Sequence, residues 1–84
     1  MTLRTEPIDM AYDGGLRETA LDLERRYGIE VEVVNANGPA GGWPEVVLAG
    51  ERADIERALR EQWSMGDPQA DDEFVAAIME SLAP

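Results

Sequence analysis

The short apolar run Val46–Ala49 constrains the fold of this chain more than any other feature. Its sequence is Val-Val-Leu-Ala, with Glu45 before it and Gly50 after it. A continuous apolar run of this length is typical of a strand that is covered on both faces or has a neighbour at both edges. We therefore predict that residues 45–50 form the central strand of a sheet.

Two earlier segments alternate between apolar and polar residues, which is the pattern of a strand with one buried face. Residues 29–35 alternate isoleucine and valine with glutamate, and residues 6–11 alternate around Ile8 and Met10. In residues 6–11, Pro7 cannot donate a hydrogen bond to a ladder. We therefore expect this strand to lie at a sheet edge or to start there. Residues 1–5 are expected to be frayed.

Two amphipathic helices are predicted from apolar residues that recur at helical spacing. In the first helix, Asp13 is the expected N-cap and Gly28 the expected residue just beyond the C-terminus. The second helix is predicted over residues 51–63, with Gly50 as its N-cap.

A third helix is predicted at the end of the chain. Residues 64–70 contain glycine and proline and are expected to be a linker. Asp71 is the expected N-cap of the helix that follows over residues 71–83. The position at which this helix docks is left open by the sequence.

The element order β-α-β-β-α-α predicts a single α+β domain that spans residues 1–84. With a right-handed crossover and an apolar central strand, the sheet is expected to have three strands in the spatial order 1-3-2. Both main helices then cover one face, as in a ferredoxin-like fold that lacks its last strand. The predicted core comprises Leu16, Leu23, Ile29, Val31, Val33, Val46, Leu48, Ile55 and Leu59.

The amino-acid composition argues against most catalytic chemistry. The 84 residues include no cysteine and no histidine, so disulfides, thiolate nucleophiles and the commonest metal ligands and general bases are missing. No nucleophile–base pair is visible either. We therefore expect no enzymatic activity, no cofactor and no metal, although a mechanism that uses carboxylates alone stays open.

The charge of the chain bears on its partners. The formal net charge is −11, which disfavours direct binding of nucleic acid and makes a basic protein the natural electrostatic complement. No apolar segment has the length of a membrane span, and the first ten residues lack the layout of a signal peptide. A cytoplasmic protein without membrane contact is the expectation.

The Gly- and Pro-rich segment NANGPAGGWPE, residues 35–45, separates the last two predicted strands. It contains no basic residue and leads into a strand rather than a helix, so it does not resemble a phosphate-binding loop. A wide hairpin connection is the structural interpretation. The functional interpretation is a binding rim around Trp43, since tryptophan is enriched at binding hot spots.

Three carboxylates are predicted to share the sheet face that the helices leave uncovered. These are Glu30, Glu32 and Glu45, and alternation places Trp43 and Val47 beside them. The acids could be solvated outer-face residues, a hard-cation site or an acid/base pair, but their spacing matches no calcium loop. We take these five residues as the candidate protein-binding face.

The segment GPAGGWPEVVLAGERADIERALREQW, residues 38–63, resembles small proteins of actinobacteria and their phages. In these proteins a Gly-rich loop and a Gly-Trp-Pro step lead into a strand, a glycine turn and an amphipathic helix. The resemblance implies a small accessory protein of a phage or of its host. It implies no particular functional residue.

The leading hypothesis is therefore a small acidic accessory protein that binds, and could inhibit, a host protein. One alternative is a regulatory module of ACT-like architecture that binds a small ligand at a subunit interface. Another is an inhibitor whose acidic surface imitates nucleic acid. A homodimer is also expected, because the sheet has two edges and an apolar strip at Val34, Val47 and Ala49.

Overall fold

The computed structural model describes residues 2–38 and 41–84, and in this part of the chain it confirms an α+β fold. The described residues form four strands and three helices. In chain order these are β1 (Leu3–Arg4), β2 (Ile8–Asp9), α1 (Leu16–Tyr27), β3 (Glu30–Asn35), β4 (Glu45–Gly50), α2 (Arg52–Gln62) and α3 (Pro68–Glu80).

Strand β4 lies at the centre of an open antiparallel sheet. β3 pairs along one edge of β4, with Val33 opposite Val46. β1 and β2 both pair with the other edge, with Leu3 opposite Gly50 and Ile8 opposite Val46. The predicted three-stranded, truncated ferredoxin-like sheet therefore has the wrong strand count, because the N-terminal segment contributes two short strands instead of one.

Thr5 joins β1 to β2 and is buried. Its backbone N–H donates to the carbonyl oxygen of Leu48 at 2.9 Å, and its Oγ1 accepts from the N–H of Leu48 at 3.0 Å. The hydroxyl thus occupies the place of a strand carbonyl, and the ladder continues across the break. The expectation of a frayed N-terminus is wrong for residues 3–5, while Met1 lies outside the described residues.

The outer edge of β1 is closed by the C-terminal segment. The N–H of Arg4 donates to the carbonyl of Ala83 at 2.7 Å, and the N–H of Ala83 donates back to the carbonyl of Arg4 at 3.1 Å. This bridge adds one antiparallel residue pair beside β1. The sheet is therefore protected on that side.

The core lies between the sheet and the helices. α1 and α2 contact the sheet and each other, and α3 packs on α2 and adds Val75, Ile78 and Met79 to the same apolar cluster. Burial is confirmed for six of the nine predicted core residues, namely Leu23, Ile29, Val46, Leu48, Ile55 and Leu59.

The remaining three predicted core residues lie near the outer edge of β3. Leu16 and Val31 are only partly buried against the core, and Val33 is 38% exposed. Val33 belongs to an edge strand, and an open groove separates it from α1, so the helix does not fully cover its side chain. The prediction of a buried Val33 is therefore wrong.

The helix starts differ from the predicted ones. Gly15 and Glu51 are the N-caps of α1 and α2, in place of Asp13 and Gly50. α3 begins before Asp71: Asp67 is its N-cap, and the Asp67 side chain accepts hydrogen bonds from two backbone N–H groups of the first turn. A proline follows directly at the first helical position, where its missing N–H costs nothing.

Asp71 serves the connection before the helix instead. Its carboxylate accepts from the backbone N–H of Met65 and from the hydroxyl of Ser64, each at 2.7 Å. These two hydrogen bonds hold the pKa of Asp71 below its ordinary value. The predicted linker over residues 64–70 is thus divided. Its last residues, from Pro68, belong to α3, and the residues before them form a turn that the Asp71 side chain closes.

We predict that Thr5→Val destabilises the protein by about 1–3 kcal/mol, because the buried N–H of Leu48 loses its acceptor while the side-chain volume hardly changes. Urea titration followed by circular dichroism measures the free energy of unfolding. Thr5→Ser is the matched control, since it keeps the hydroxyl. A Thr5→Val protein as stable as the wild type would show that the hydroxyl is dispensable.

A second prediction concerns acid stability. Because folding lowers the pKa of Asp71, its contribution is complete above the unfolded-state pKa and is lost as the pH falls below about 4. Asp71→Asn should therefore lose less stability on acidification than the wild type does. Glu73→Gln, which changes an exposed acid of the same helix, should follow the wild type. Three parallel curves of stability against pH would contradict this assignment.

Candidate functional site

Two of the predicted acidic residues lie on the sheet face away from the helices, but Val47 beside them is buried. Glu30 and Glu32 of β3 pair with Ala49 and Val47 of β4, on the face opposite the core residues of that strand. Val47 is only 7% exposed and so offers no contact surface. Its assignment to the binding face is wrong.

An ion pair across the sheet explains the burial of Val47. The Arg4 guanidinium donates to Oε2 of Glu32 at 2.7 Å. Because β1 and β3 lie on opposite edges of β4, this ion pair crosses over β4 and shields Val47 and Ala49 from solvent.

The three glutamates do not form one site. Glu45 is half-buried and accepts a hydrogen bond from the Asn35 amide at 3.4 Å. Glu30 and Glu32 project farther along the same strand pair. Within residues 2–38 and 41–84 there is no group of three or more acidic, histidine or cysteine side chains that could hold a metal ion.

The loop that carries Trp43 connects the antiparallel strands β3 and β4, as the structural interpretation predicted. Gly38 donates to the carbonyl of Gly42 at 3.3 Å, and a Cβ on Gly38 would lie 2.2 Å from the carbonyl oxygen of Trp43. Only glycine fits at this close approach of the two backbone segments. Pro39 and Ala40, which belong to the same predicted loop, lie outside the described residues.

The indole of Trp43 is 52% exposed and lies edge-on to the Tyr12 ring, with 5.7 Å between the ring centroids. It borders a cleft of about 500 Å³ together with Met10, Leu23 and Trp63. Met10 and Leu23 belong to the core side of the sheet. The prediction that Trp43 shares a face with Glu45 and Val47 is therefore wrong.

A different surface emerges at the outer edge of β3. The N–H of Val31 points away from β4, since it donates to Oε2 of Glu24 on α1 at 2.9 Å. Backbone groups in an antiparallel pair alternate in direction, so both polar groups of Val33 also point outward. Among the described strands, β3 pairs with β4 alone. The carbonyl of Val31 and the N–H and carbonyl of Val33 are thus available to another strand.

An apolar groove runs beside this edge, between β3 and α1. Its volume is about 380 Å³. Leu21 is 41% exposed, and Val33 and the neighbouring Val34 are 38% and 46% exposed. The groove is lined by Leu16, Arg17, Ala20, Leu21, Glu24, Val31 and Val33.

Sequence reasoning missed this groove, although one residue gave a signal. Leu21 falls outside the apolar stripe that Ala20 and Leu23 define on the first helix. An apolar residue beside such a stripe widens the apolar face toward one neighbour. The neighbour here is the exposed part of β3. The groove was missed because the sequence pattern predicts a buried Val33.

The charges around the edge are unequal. Glu30 and Glu32 flank it on the open face, and Glu24 lies at one end of the groove. Arg17 is the basic residue that lines the groove, and Arg4 is already engaged by Glu32. Acidic groups therefore outnumber basic ones around this edge.

Comparison with protein-family models, with curated proteins and with solved structures found no match to this chain. The similarity to small actinobacterial and phage proteins thus stays a prediction from the sequence. None of the helices in residues 2–38 and 41–84 is both long enough and apolar enough to cross a membrane.

We predict different solvent access for the two tryptophans. Trp43 is half exposed, whereas the Trp63 indole is partly buried and donates to the carbonyl of Asp9 at 2.6 Å. In the single-tryptophan variant Trp63→Phe, acrylamide should quench the fluorescence of Trp43 strongly. In the matched variant Trp43→Phe, quenching of Trp63 should be weaker. Equal quenching constants would contradict the positions of the two rings.

Proposed function

We propose that this protein is a small acidic accessory protein that acts by binding another protein, not by catalysis. It binds an extended segment of that partner as an additional strand along the outer edge of β3. The observation that carries the proposal is the unpaired edge at Val33, with exposed Leu21, Val33 and Val34 beside it. Exposed apolar edge strands are sites at which other chains add to a sheet.

The edge offers both hydrogen bonds and apolar contact. A strand paired with Val33 would satisfy its N–H and carbonyl, and each such hydrogen bond contributes about 0.5–1.5 kcal/mol. Side chains that enter the groove would cover Leu21 and Val33, and full burial of a Leu or Val side chain contributes about 1.5–3 kcal/mol. Leu21 and Val33 are 41% and 38% exposed, so covering them contributes part of that amount, which favours binding against the cost of association.

A second copy of this chain is a less suitable occupant than a different protein. Symmetric pairing of β3 with itself about Val33 would place the two Glu32 side chains on one face of the sheet as diagonal neighbours, where their like charges repel each other. Two copies would also bring together chains of net charge −11 each. The homodimer predicted from the sequence is therefore an outcome to be tested and not our conclusion.

The two alternative functions receive unequal support. The cleft beside Trp43 and Trp63 favours the small-ligand module, which we keep as the second candidate. Imitation of nucleic acid has less support, because acids of α2 and α3 are engaged within the protein. Arg60 donates to Asp72 at 2.8 Å and to Glu56 at 3.1 Å, and these two hydrogen bonds raise the pKa of Arg60.

The source and location of the protein are part of the same proposal. The resemblance over residues 38–63 supports an accessory protein of a phage or its host bacterium that acts in the cytoplasm. The absence of histidine and cysteine from the sequence supports a role without catalysis or cofactors. Inhibition of the bound host protein would follow if the captured segment belongs to its working surface.

The test is selection of binders from a random library of displayed nine-residue peptides. We expect peptides whose affinity falls at least tenfold on the Val33→Pro protein, because proline removes the outward N–H without removing a bond to β4. Leu21→Ser should weaken binding too, and since Leu21 is half exposed this variant keeps the fold.

Trp43→Ala is the matched control, because it removes a half-exposed apolar side chain away from the groove. Binders that lose affinity for Trp43→Ala but not for Val33→Pro or Leu21→Ser would place the binding site at the tryptophan cleft. Recovery of no binders would overturn the proposal. Sedimentation equilibrium of the protein alone shows whether it forms a dimer. A dimer that Val33→Pro dissociates would mean that a second copy occupies the edge.

A further inference from the structure

We infer that the bound segment alternates basic and apolar residues, an inference that rests on the proposed function. From Glu30 to Val33 the two faces of β3 differ in chemistry. Val31 and Val33 face the groove, whereas Glu30 and Glu32 face the opposite side of the sheet. Because side chains of an added strand also alternate between faces, each face selects every second residue of the partner.

The groove side selects apolar residues. Leu16, Leu21, Val31 and Val33 line it, and the side chains of Leu21 and Val33 are partly exposed to solvent. Arg17 lies on this side and disfavours a basic residue near it. Valine, isoleucine or leucine at alternate positions of the partner would complete the apolar surface.

The open side selects basic residues. Glu30 is exposed and forms no salt bridge with another described residue, so its carboxylate can pair with a lysine or arginine of the partner. Glu32 already binds Arg4 at one oxygen, and its other oxygen can accept a further donor. The net charge of −11 attracts a basic segment from a distance.

Glu24 limits the length of the contact. Its carboxylate accepts the outward N–H of Val31. An incoming strand can therefore bond only to the carbonyl of Val31 and to the N–H and carbonyl of Val33. A segment of about five to seven residues is sufficient to reach these groups and both glutamates, at about 3.3 Å per residue. A short alternating segment is therefore the expected ligand.

Four synthetic heptapeptides with the same neutral dye test this inference. The first alternates lysine with valine, the second replaces each lysine by serine, and the third replaces each lysine by glutamate. The fourth has the composition of the first but places all lysines before all valines. Fluorescence anisotropy at low and at physiological ionic strength measures each dissociation constant.

We expect the alternating lysine peptide to bind at least about fivefold more tightly than the serine peptide at low salt, as for one or two exposed ion pairs. It should also bind more tightly than the block peptide, which has the same charge but cannot place it on one face. The glutamate peptide should bind most weakly. Val33→Pro should weaken binding of the first two peptides alike.

Glu30→Gln should reduce the preference for lysine over serine. Glu73→Gln is the matched control, since it removes the same charge from α3, which packs on α2. If the serine peptide binds as tightly as the lysine peptide and both are lost on Val33→Pro, the edge is a binding site but the inference on basic residues is wrong. If the block peptide binds equally well, unspecific charge attraction explains the binding and the inference is overturned.

Discussion

All strand pairing in the described sheet depends on β4, because every other strand forms its ladder with β4 and not with another neighbour. The backbone of Leu48 is an example of how β4 holds its neighbours. One side of it faces β3, and on the other side both of its polar groups bond to Thr5, one of them through a side chain. A buried N–H without a partner would weaken the strand on which β1, β2 and β3 are all assembled.

The sequence predicted the parts of this arrangement that depend on periodicity. The apolar run before Gly50 indicated the central strand, and the helical spacing of Leu23, Ile55 and Leu59 indicated side chains that are buried in the structure. These patterns reflect burial on one face, which is a local property of the chain. The interruption between β1 and β2 could not be predicted in this way. It depends on a hydrogen bond between Thr5 and the distant Leu48, and no local pattern indicates that the Thr5 hydroxyl replaces a strand carbonyl.

The candidate site was harder to predict for the same reason. Glu30 and Glu32 were placed on the correct side of β3 by alternation, but Val47 was not recognised as covered, because the Arg4–Glu32 ion pair joins residues far apart in the chain. Val33 fits the pattern of a buried strand residue, and its exposure depends on how far α1 extends over an edge. Asp71 likewise fits a helix N-cap, while the true cap is Asp67, four residues earlier.

The edges of the sheet are treated differently, and this difference has a consequence for the lifetime of any complex. The edge at β1 is bonded to Ala83, and the Asp9 carbonyl of β2 is bonded to the Trp63 indole. At β3, Glu24 accepts the outward N–H of Val31, so the backbone groups that stay available form a short window centred on Val33. A window this short would hold an added strand by few hydrogen bonds, so such a strand would dissociate readily. In the proposed complex, a bound segment would therefore exchange quickly at this edge.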